Sequence, residues 1–477
     1  MKNNKLLSGL KWSIFSTGGR QLFQTFFTIL LARVLSPEDF GLVSMITVFT
    51  GFSFVIMNFG FGTALIQKSD ATQLDFSSVF WINGFIGAIL SLIIYFLSSW
   101  IAEFYQNAQL SDLTKLISFN YFVLSLGLTH KIKLQKELLF KEIAKVEIIA
   151  MLIAGIIACT LAYGGYGVYS LIIQTIVLAF LQTGLYWIVS KWRPILRFSK
   201  ASIKSIFNFS INLFGNQTLG YITSNLDYLL IGKYLGDGSL GIYRNSFSLI
   251  IKPLNALNGT LFNVFFPHFS SFKKNLEAVG DNYFKAISVL FYVTAPVMLI
   301  AFFLSEFIVL TLFGNEWEAM IPLIRLMAFP GLLFSLTSFN GSIFLAFGKS
   351  NTLLKVNLFN RVIVSVGIIL GLYWGIKGVA FSFNITYLVS FFFSLYFVLK
   401  ELKTNLSAYL NMLKNSLLSL IAPVFIGSFI IFNPYNLWVS LFGLLAMIVA
   451  FLLCSYLFQP YPFVFAKNYF HRKVKTI

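Results

Sequence analysis

Charge is what this chain has least of. Asp, Glu, Lys and Arg make up 11% of its 477 residues, against about 25% in ordinary soluble domains. Polar loops are short as well: none between apolar runs much exceeds about twenty residues, which leaves no room for a soluble domain. Cysteine is nearly absent. Cys159 and Cys454 both lie in apolar runs without partner spacing, which excludes a disulfide framework and a cysteine metal site. The three histidines, His130, His268 and His471, are scattered at loop edges and are expected to be solvated. They form neither a metal set nor a catalytic triad, and no acidic pair shows metal-ligand spacing. No glycine-rich nucleotide loop occurs, so an ATP-driven pump would need its motor from another subunit. No metal or cofactor is expected.

What is present is hydrophobic: 57% of residues, with a mean hydropathy of +0.81. About twenty apolar residues cross the hydrocarbon core as a helix. Fourteen such stretches are read, at 10–33, 39–66, 77–102, 113–130, 142–163, 166–190, 205–232, 238–265, 284–313, 319–347, 353–374, 376–399, 409–432 and 435–458. Gly164-Gly165, Gly375 to Gly378 and Asn433-Pro434 mark turns between neighbours. Ser36-Pro37-Glu38-Asp39 supplies a cap, a first-turn proline and first-turn acids, and starts the second helix. The basic stretch Met1 to Lys11 precedes an apolar run with Gly18-Gly19-Arg20 and no small-residue cleavage site, so it reads as the lead of a retained first helix. The expected fold is an all-α membrane protein of about fourteen transmembrane helices.

The net charge of +18 would suggest nucleic acid if it formed one patch. Here it is parcelled into alternate loops, so no nucleic-acid partner is expected. With the N-terminus cytoplasmic, that side holds Lys131, Lys133, Lys136, Lys141, Lys145, Lys191, Arg193, Arg197, Lys200, Lys349, Lys400, Lys403 and others. The opposite side receives Arg33, Lys115, Lys233 and Lys377, with Arg244 near that edge. This is the positive-inside pattern and places both termini in the cytoplasm.

The chain also repeats. Leu31-Ala32-Arg33-Val34-Leu35 with Phe40-Gly41-Leu42 matches Ile231-Gly232-Lys233-Tyr234-Leu235 with Leu240-Gly241-Ile242, two hundred positions on. Phe96-Leu97-Ser98 matches Phe303-Leu304-Ser305, and Gly164, Gly167 and Val168 match Gly375, Gly378 and Val379. Three ordered matches with slowly growing offset read as two homologous six-helix lobes, 1–200 and 201–404, followed by two extra helices and a tail at 405–477. Six is even, so the copies point the same way, a transporter architecture.

Charges inside apolar helices cost roughly 2.5–3.5 kcal/mol each even on lenient scales, and usually face a bundle interior or wet cavity. Five cations stand there, Arg20, Arg244, Lys252, Arg325 and Arg361, against a single clear anion, Asp227. Ser13, Thr17, Arg20, Gln21, Gln24 and Thr28 fall within about a 100° arc of the first helix. Ser205, Asn208, Asn212, Asn216, Thr223 and Asp227 do so on the seventh. Arg244, Ser248, Lys252, Asn255 and Asn263 form a third stripe, with Pro253 expected to kink it. A hydrated cationic cleft between lobes suits an anionic ligand, because phosphoryl oxygens match a guanidinium fork. The competing readings are interhelical packing bonds for the Asn residues, an ion pair of Asp227 with Arg244 or Lys252, and snorkelling of Arg325 and Arg361. The basic stretch from Lys131 to Lys145 reads as contact with anionic lipid, with recruitment of a lipid phosphate as the competing reading.

The run Asn225-Leu226-Asp227-Tyr228-Leu229-Leu230-Ile231-Gly232-Lys233-Tyr234-Leu235-Gly236, with Leu240 to Asn245, Pro253 and Phe266-Pro267, resembles the second-lobe signature of Wzx-type polysaccharide flippases. Leu31 to Gly41 resembles the first-lobe counterpart. These proteins belong to the multidrug/oligosaccharidyl-lipid/polysaccharide exporter superfamily. The resemblance implies a non-enzymatic flippase of the bacterial cytoplasmic membrane, moving an undecaprenyl-diphosphate-linked oligosaccharide outward by alternating access, with a polymerase and glycosyltransferases as partners. It implies substrate contacts for Arg20, Arg244 and Lys252, to which the stripes add Gln24, Asn212 and Asn216 and the remaining cations in apolar runs add Arg325 and Arg361, and it nominates Asp227 for ion coupling. The rival readings are a multidrug or ion antiporter of the same superfamily and a membrane polysaccharide polymerase.

Overall fold

Helix starts follow local chemistry. In the computed structural model, which describes residues 18–271, 276–431, 437–465 and 467, Ser36 and Asp39 form a reciprocal capping box ahead of Pro37. Thr72 and Asp75 repeat the device before the next long helix. Each box satisfies amide groups that a helix end leaves without partners.

The order is α1 (18–32), α2 (Pro37–Asn58), α3 (Phe61–Gln67), α4 (Gln73–Tyr105), α5 (Gln109–Lys136), α6 (Phe140–Tyr163) and α7 (Tyr169–Ser190). There follow α8 (Lys200–Ser271), α9 (Leu276–Phe303), α10 (Ser305–Leu312), α11 (Met320–Thr337) and α12 (Asn340–Ala346). The chain continues with α13 (Ser350–Gly371), α14 (Gly375–Glu401), α15 (Leu406–Leu418), α16 (Ile421–Ile431) and α17 (Leu437–Phe458). Among the described residues there is no strand. The described part of each of the fourteen apolar stretches falls on a helix or on consecutive helices, which is compatible with fourteen crossings. Among the described residues, eight helical stretches are long and apolar enough to cross a membrane, one of them covering both α13 and α14, and the bent pair α15–α16 makes a ninth. The turn at Asn433-Pro434 lies outside the described residues.

The breaks have identifiable causes. α8 runs through Pro253 and is interrupted at Gly236, whose φ of 83° and ψ of 178° fit only glycine. The stretch 409–432 is not one straight helix but two, bent by 56°. Pro423 explains this: its ring collides with the carbonyl four residues back, at Ser419, where α15 ends. The stretch 39–66 is likewise divided at Gly60, which has φ 85°.

By packing, the chain forms two units, Met1–Gly241 and Ile242–Ile477. This division follows contact, whereas the lobes 1–200 and 201–404 follow sequence similarity. The first part of α8 belongs to the first unit, where the Tyr221 hydroxyl donates to the Val48 carbonyl of α2 at 2.8 Å and Phe214 stacks on Phe59. In the same unit, a Cβ on Gly41 would stand 1.9 Å from the Asp237 carbonyl oxygen, and one on Gly241 would stand 1.9 Å from that of Pro37. Pro37 and Asp237, like Gly41 and Gly241, are the two-hundred-residue repeat partners, so the repeat-related segments interlock reciprocally.

The core of the first unit gathers Phe61, Leu65, Phe76, Val79, Phe80 and Ile132. That of the second gathers Tyr283, Leu290, Phe339, Phe344, Val398 and Tyr409. Much apolar surface stays outside these cores. Only 11% of the apolar window of α17 is buried, and Phe425, Phe442 and Leu457 are exposed. Apolar surface on that scale is at home in lipid, which marks a multi-pass membrane protein.

Candidate functional site

The first unit holds an ionic cluster inside its helices. Glu147 of α6 is almost fully buried, and its Oε1 accepts from the Lys131 ammonium of α5 at 2.7 Å and from the Tyr186 hydroxyl of α7 at 3.4 Å. Its other oxygen lies 3.9 Å from Nη1 of Arg20 on α1. Close helix approach sets this register: a Cβ on Gly155 would meet the Phe27 ring at 2.5 Å. Arg20 with Glu147 and Phe27 with Gly155 lie two turns apart along the same interface, so α1 and α6 run parallel. Gln24, one turn beyond Arg20, is exposed, and its carbonyl accepts from the Thr28 hydroxyl.

A second cluster lies in the other unit. Arg325 of α11 donates through Nε to the Ser305 hydroxyl at 2.8 Å, and its Nη2 stands 3.5 Å from Glu306 of α10. Arg361 is exposed on α13. Arg244 and Lys252 are half-buried and two turns apart on α8. Asp227 is buried, and its Oδ1 accepts from the Tyr228 amide at 2.9 Å. The side chains of Asn208, Asn212, Asn216 and Asn263 lie outside the described residues, as do Ser13 and Thr17.

Two sequence readings change. Asp227 is not the single anion: Glu147 and Glu306 also stand in helices, each paired with a cation. Their signature was available, because residues three and four away are apolar on both sides: Ile143, Ala144, Ala150 and Met151 for Glu147; Phe302, Phe303, Val309 and Leu310 for Glu306. A carboxylate on an apolar stripe needs a partner from another helix. His130 is not a solvated loop residue. It is fully buried, with Nδ1 2.8 Å from the Ser190 hydroxyl and its ring 4.4 Å from Trp187 and 4.9 Å from Trp192, because the end of α7 folds back over α5. The basic stretch carries ion pairs of its own, with Lys145 still exposed. Lys131 binds Glu147, Lys133 binds Glu137 at 3.1 Å, and Lys145 binds Glu142 at 3.3 Å. Lys136 donates to the carbonyls of Leu65, in the last turn of α3, and of Lys68 just past its end. Among the described residues, no three His, Cys, Asp or Glu side chains gather as metal ligands.

The chain is similar to known proteins in sequence and in fold. The family described as "Polysaccharide biosynthesis protein" matches residues 30–322, more than half the chain. The chain belongs to this family. It is similar to the teichuronic acid biosynthesis protein TuaB of Bacillus subtilis, with 27% identity over 85% of this chain and 84% of that protein. It is similar also to the lipopolysaccharide biosynthesis protein WzxC of Escherichia coli, with 27% identity over 93% of this chain and 89% of that one. Among solved structures, the lipid II flippase MurJ in an inward closed conformation shares the fold. That likeness has a TM-score of 0.71 at 18% identity, over 94% of this chain and 98% of that one. The resemblance read from Asn225 to Asn245 and Leu31 to Gly41 therefore holds at the level of family and fold.

Proposed function

We propose that this protein flips an undecaprenyl-diphosphate-linked oligosaccharide from the cytoplasmic to the outer leaflet of the bacterial cytoplasmic membrane, for surface polysaccharide synthesis. The observation that carries the reading is family membership over residues 30–322. Relatives named for teichuronic acid and lipopolysaccharide biosynthesis support it, as does a fold shared with a lipid II flippase. Such a substrate presents a diphosphate to the protein and a polyprenyl tail to the bilayer. Cations on apolar helices supply what the diphosphate needs.

In this reading the lobes 1–200 and 201–404 alternate access around a cationic cavity, with both termini cytoplasmic. Arg20, Gln24, Arg244, Lys252, Arg325, Arg361, Asn212 and Asn216 contact substrate, and Asp227 couples an ion gradient. A polymerase and glycosyltransferases act on the same lipid-linked unit. Among the cations, Arg20 is the first choice, because its guanidinium is well exposed whereas Arg325 is committed to Glu306 and Ser305.

The test is complementation of a strain lacking the chromosomal copy. Arg20→Ala and Lys252→Ala, at normal protein level in the membrane, are expected to reduce surface polysaccharide at least tenfold and to accumulate the lipid-linked unit inside. Normal output from both variants would refute the site.

A further inference from the structure

The charges around Glu147 do not balance. Among the described residues two cations face one carboxylate, and the excess sits on the more accessible cation: the Arg20 side chain is 45% exposed, that of Lys131 32%. Lys131, at 2.7 Å, is the tight partner. Arg20, at 3.9 Å, is beyond hydrogen-bond reach, so its donors remain available while the carboxylate still attracts it. From this geometry, and resting on the function proposed above, we infer that Glu147 is a built-in counter-charge that competes with a prenyl-linked diphosphate for Arg20 and Lys131.

A carrier must bind its cargo firmly enough to load and loosely enough to release it. Arg20 and Lys131 alone would hold a diphosphate by two cations in a poorly hydrated setting, where charge interactions are strong. Glu147 offsets one of those charges from within the protein. It also holds the Lys131 ammonium in place, with Tyr186 fixing the carboxylate from the other side. When the diphosphate leaves, both cations return to Glu147 and no buried charge is stranded. Glu147 is thus a positioning residue, and its substitution moves affinity and turnover in opposite directions.

The full-length protein in phosphatidylcholine nanodiscs is titrated with farnesyl diphosphate. With two cations and no counter-charge, Glu147→Gln is expected to bind roughly tenfold tighter than the parent. Lys131→Met, with no net charge in the cluster, should bind roughly tenfold weaker, and the double variant should return close to the parent. In cells, Glu147→Gln should also lower polysaccharide output despite its tighter binding. A merely structural role would weaken binding in every variant and would not restore it in the double one, an outcome that overturns the inference. If Glu147→Gln does not fold, the rank of Lys131→Met below the double variant decides alone. Equal displacement of the probe by phosphatidylglycerol in the nanodisc would also overturn it, since the ligand would then be an ordinary lipid headgroup. Arg20→Ala output in cells tests the transport function separately, so either result can fail while the other stands.

Discussion

Glu306 and Arg325 show how a single pair of side chains keeps charge inside an apolar bundle. Their side chains are 17% and 30% exposed, and the Ser305 hydroxyl accepts from Arg325 in addition. Removing one partner strands the other, which costs about 2 kcal/mol in partly buried settings, whereas replacing both by apolar groups is often close to neutral. Glu306→Ala is therefore expected to lower stability by about 2 kcal/mol, and Glu306→Leu with Arg325→Leu by well under half of that, as read by thermal unfolding in detergent. A double variant as unstable as the single one would show that the pair itself contributes the stability. Arg20 and Arg325 were legible in the sequence because a guanidinium in an apolar run stands out. Their carboxylates carried a weaker mark, the apolar residues three and four positions away, which shows only when each acid is read on its helical face and not by the charge of the stretch as a whole. Pairing between different helices, α1 with α6 and α10 with α11, decides their role, and hydropathy does not see it.

At the scale of elements, the apolar stretches were legible because a crossing needs about twenty apolar residues whatever its neighbours. Breaks inside them were harder to read. Gly60 and Pro423 divide spans that look continuous in hydropathy, while Pro253, expected to kink α8, is carried within it and Gly236 makes the interruption. The closest packing lies where the repeat is strongest, at Gly41 and Gly241. At both positions a Cβ would strike backbone carbonyl oxygen, which cannot swing aside as a side chain does. Overpacking of this kind costs about 1–3 kcal/mol. Gly41→Ala and Gly241→Ala should each lose that much stability. Gly215→Ala, in a helix with nothing within 4 Å, should be neutral or gain up to about 1 kcal/mol. Thermal unfolding of the three variants side by side is the measurement. A Gly41→Ala protein as stable as the parent would mean that α2 and the Gly236 turn do not interlock.

For the whole molecule, the distribution of Lys and Arg argues for one direction of insertion, which under the proposed function decides which leaflet is loaded. The hairpin of α13 and α14 offers a clean probe. Its 22-residue first helix spans about 33 Å, enough to cross the hydrocarbon core, so Asn351 at its start and Lys377 beyond its end belong to opposite faces. Both residues are exposed, so a label can reach either. The Lys349 ammonium meets Glu401 at 2.9 Å, which ties the start of α13 to the end of α14 on one face. With Cys159 and Cys454 replaced by Ala, Lys377→Cys in intact cells should react with a membrane-impermeant maleimide. Asn351→Cys should react only after the membrane is opened, with at least a fivefold difference between the two conditions. The reverse pattern would place most of the positive loops outside and both termini with them. The cations would then be set to receive cargo from the wrong leaflet, and outward flipping would lose its physical basis.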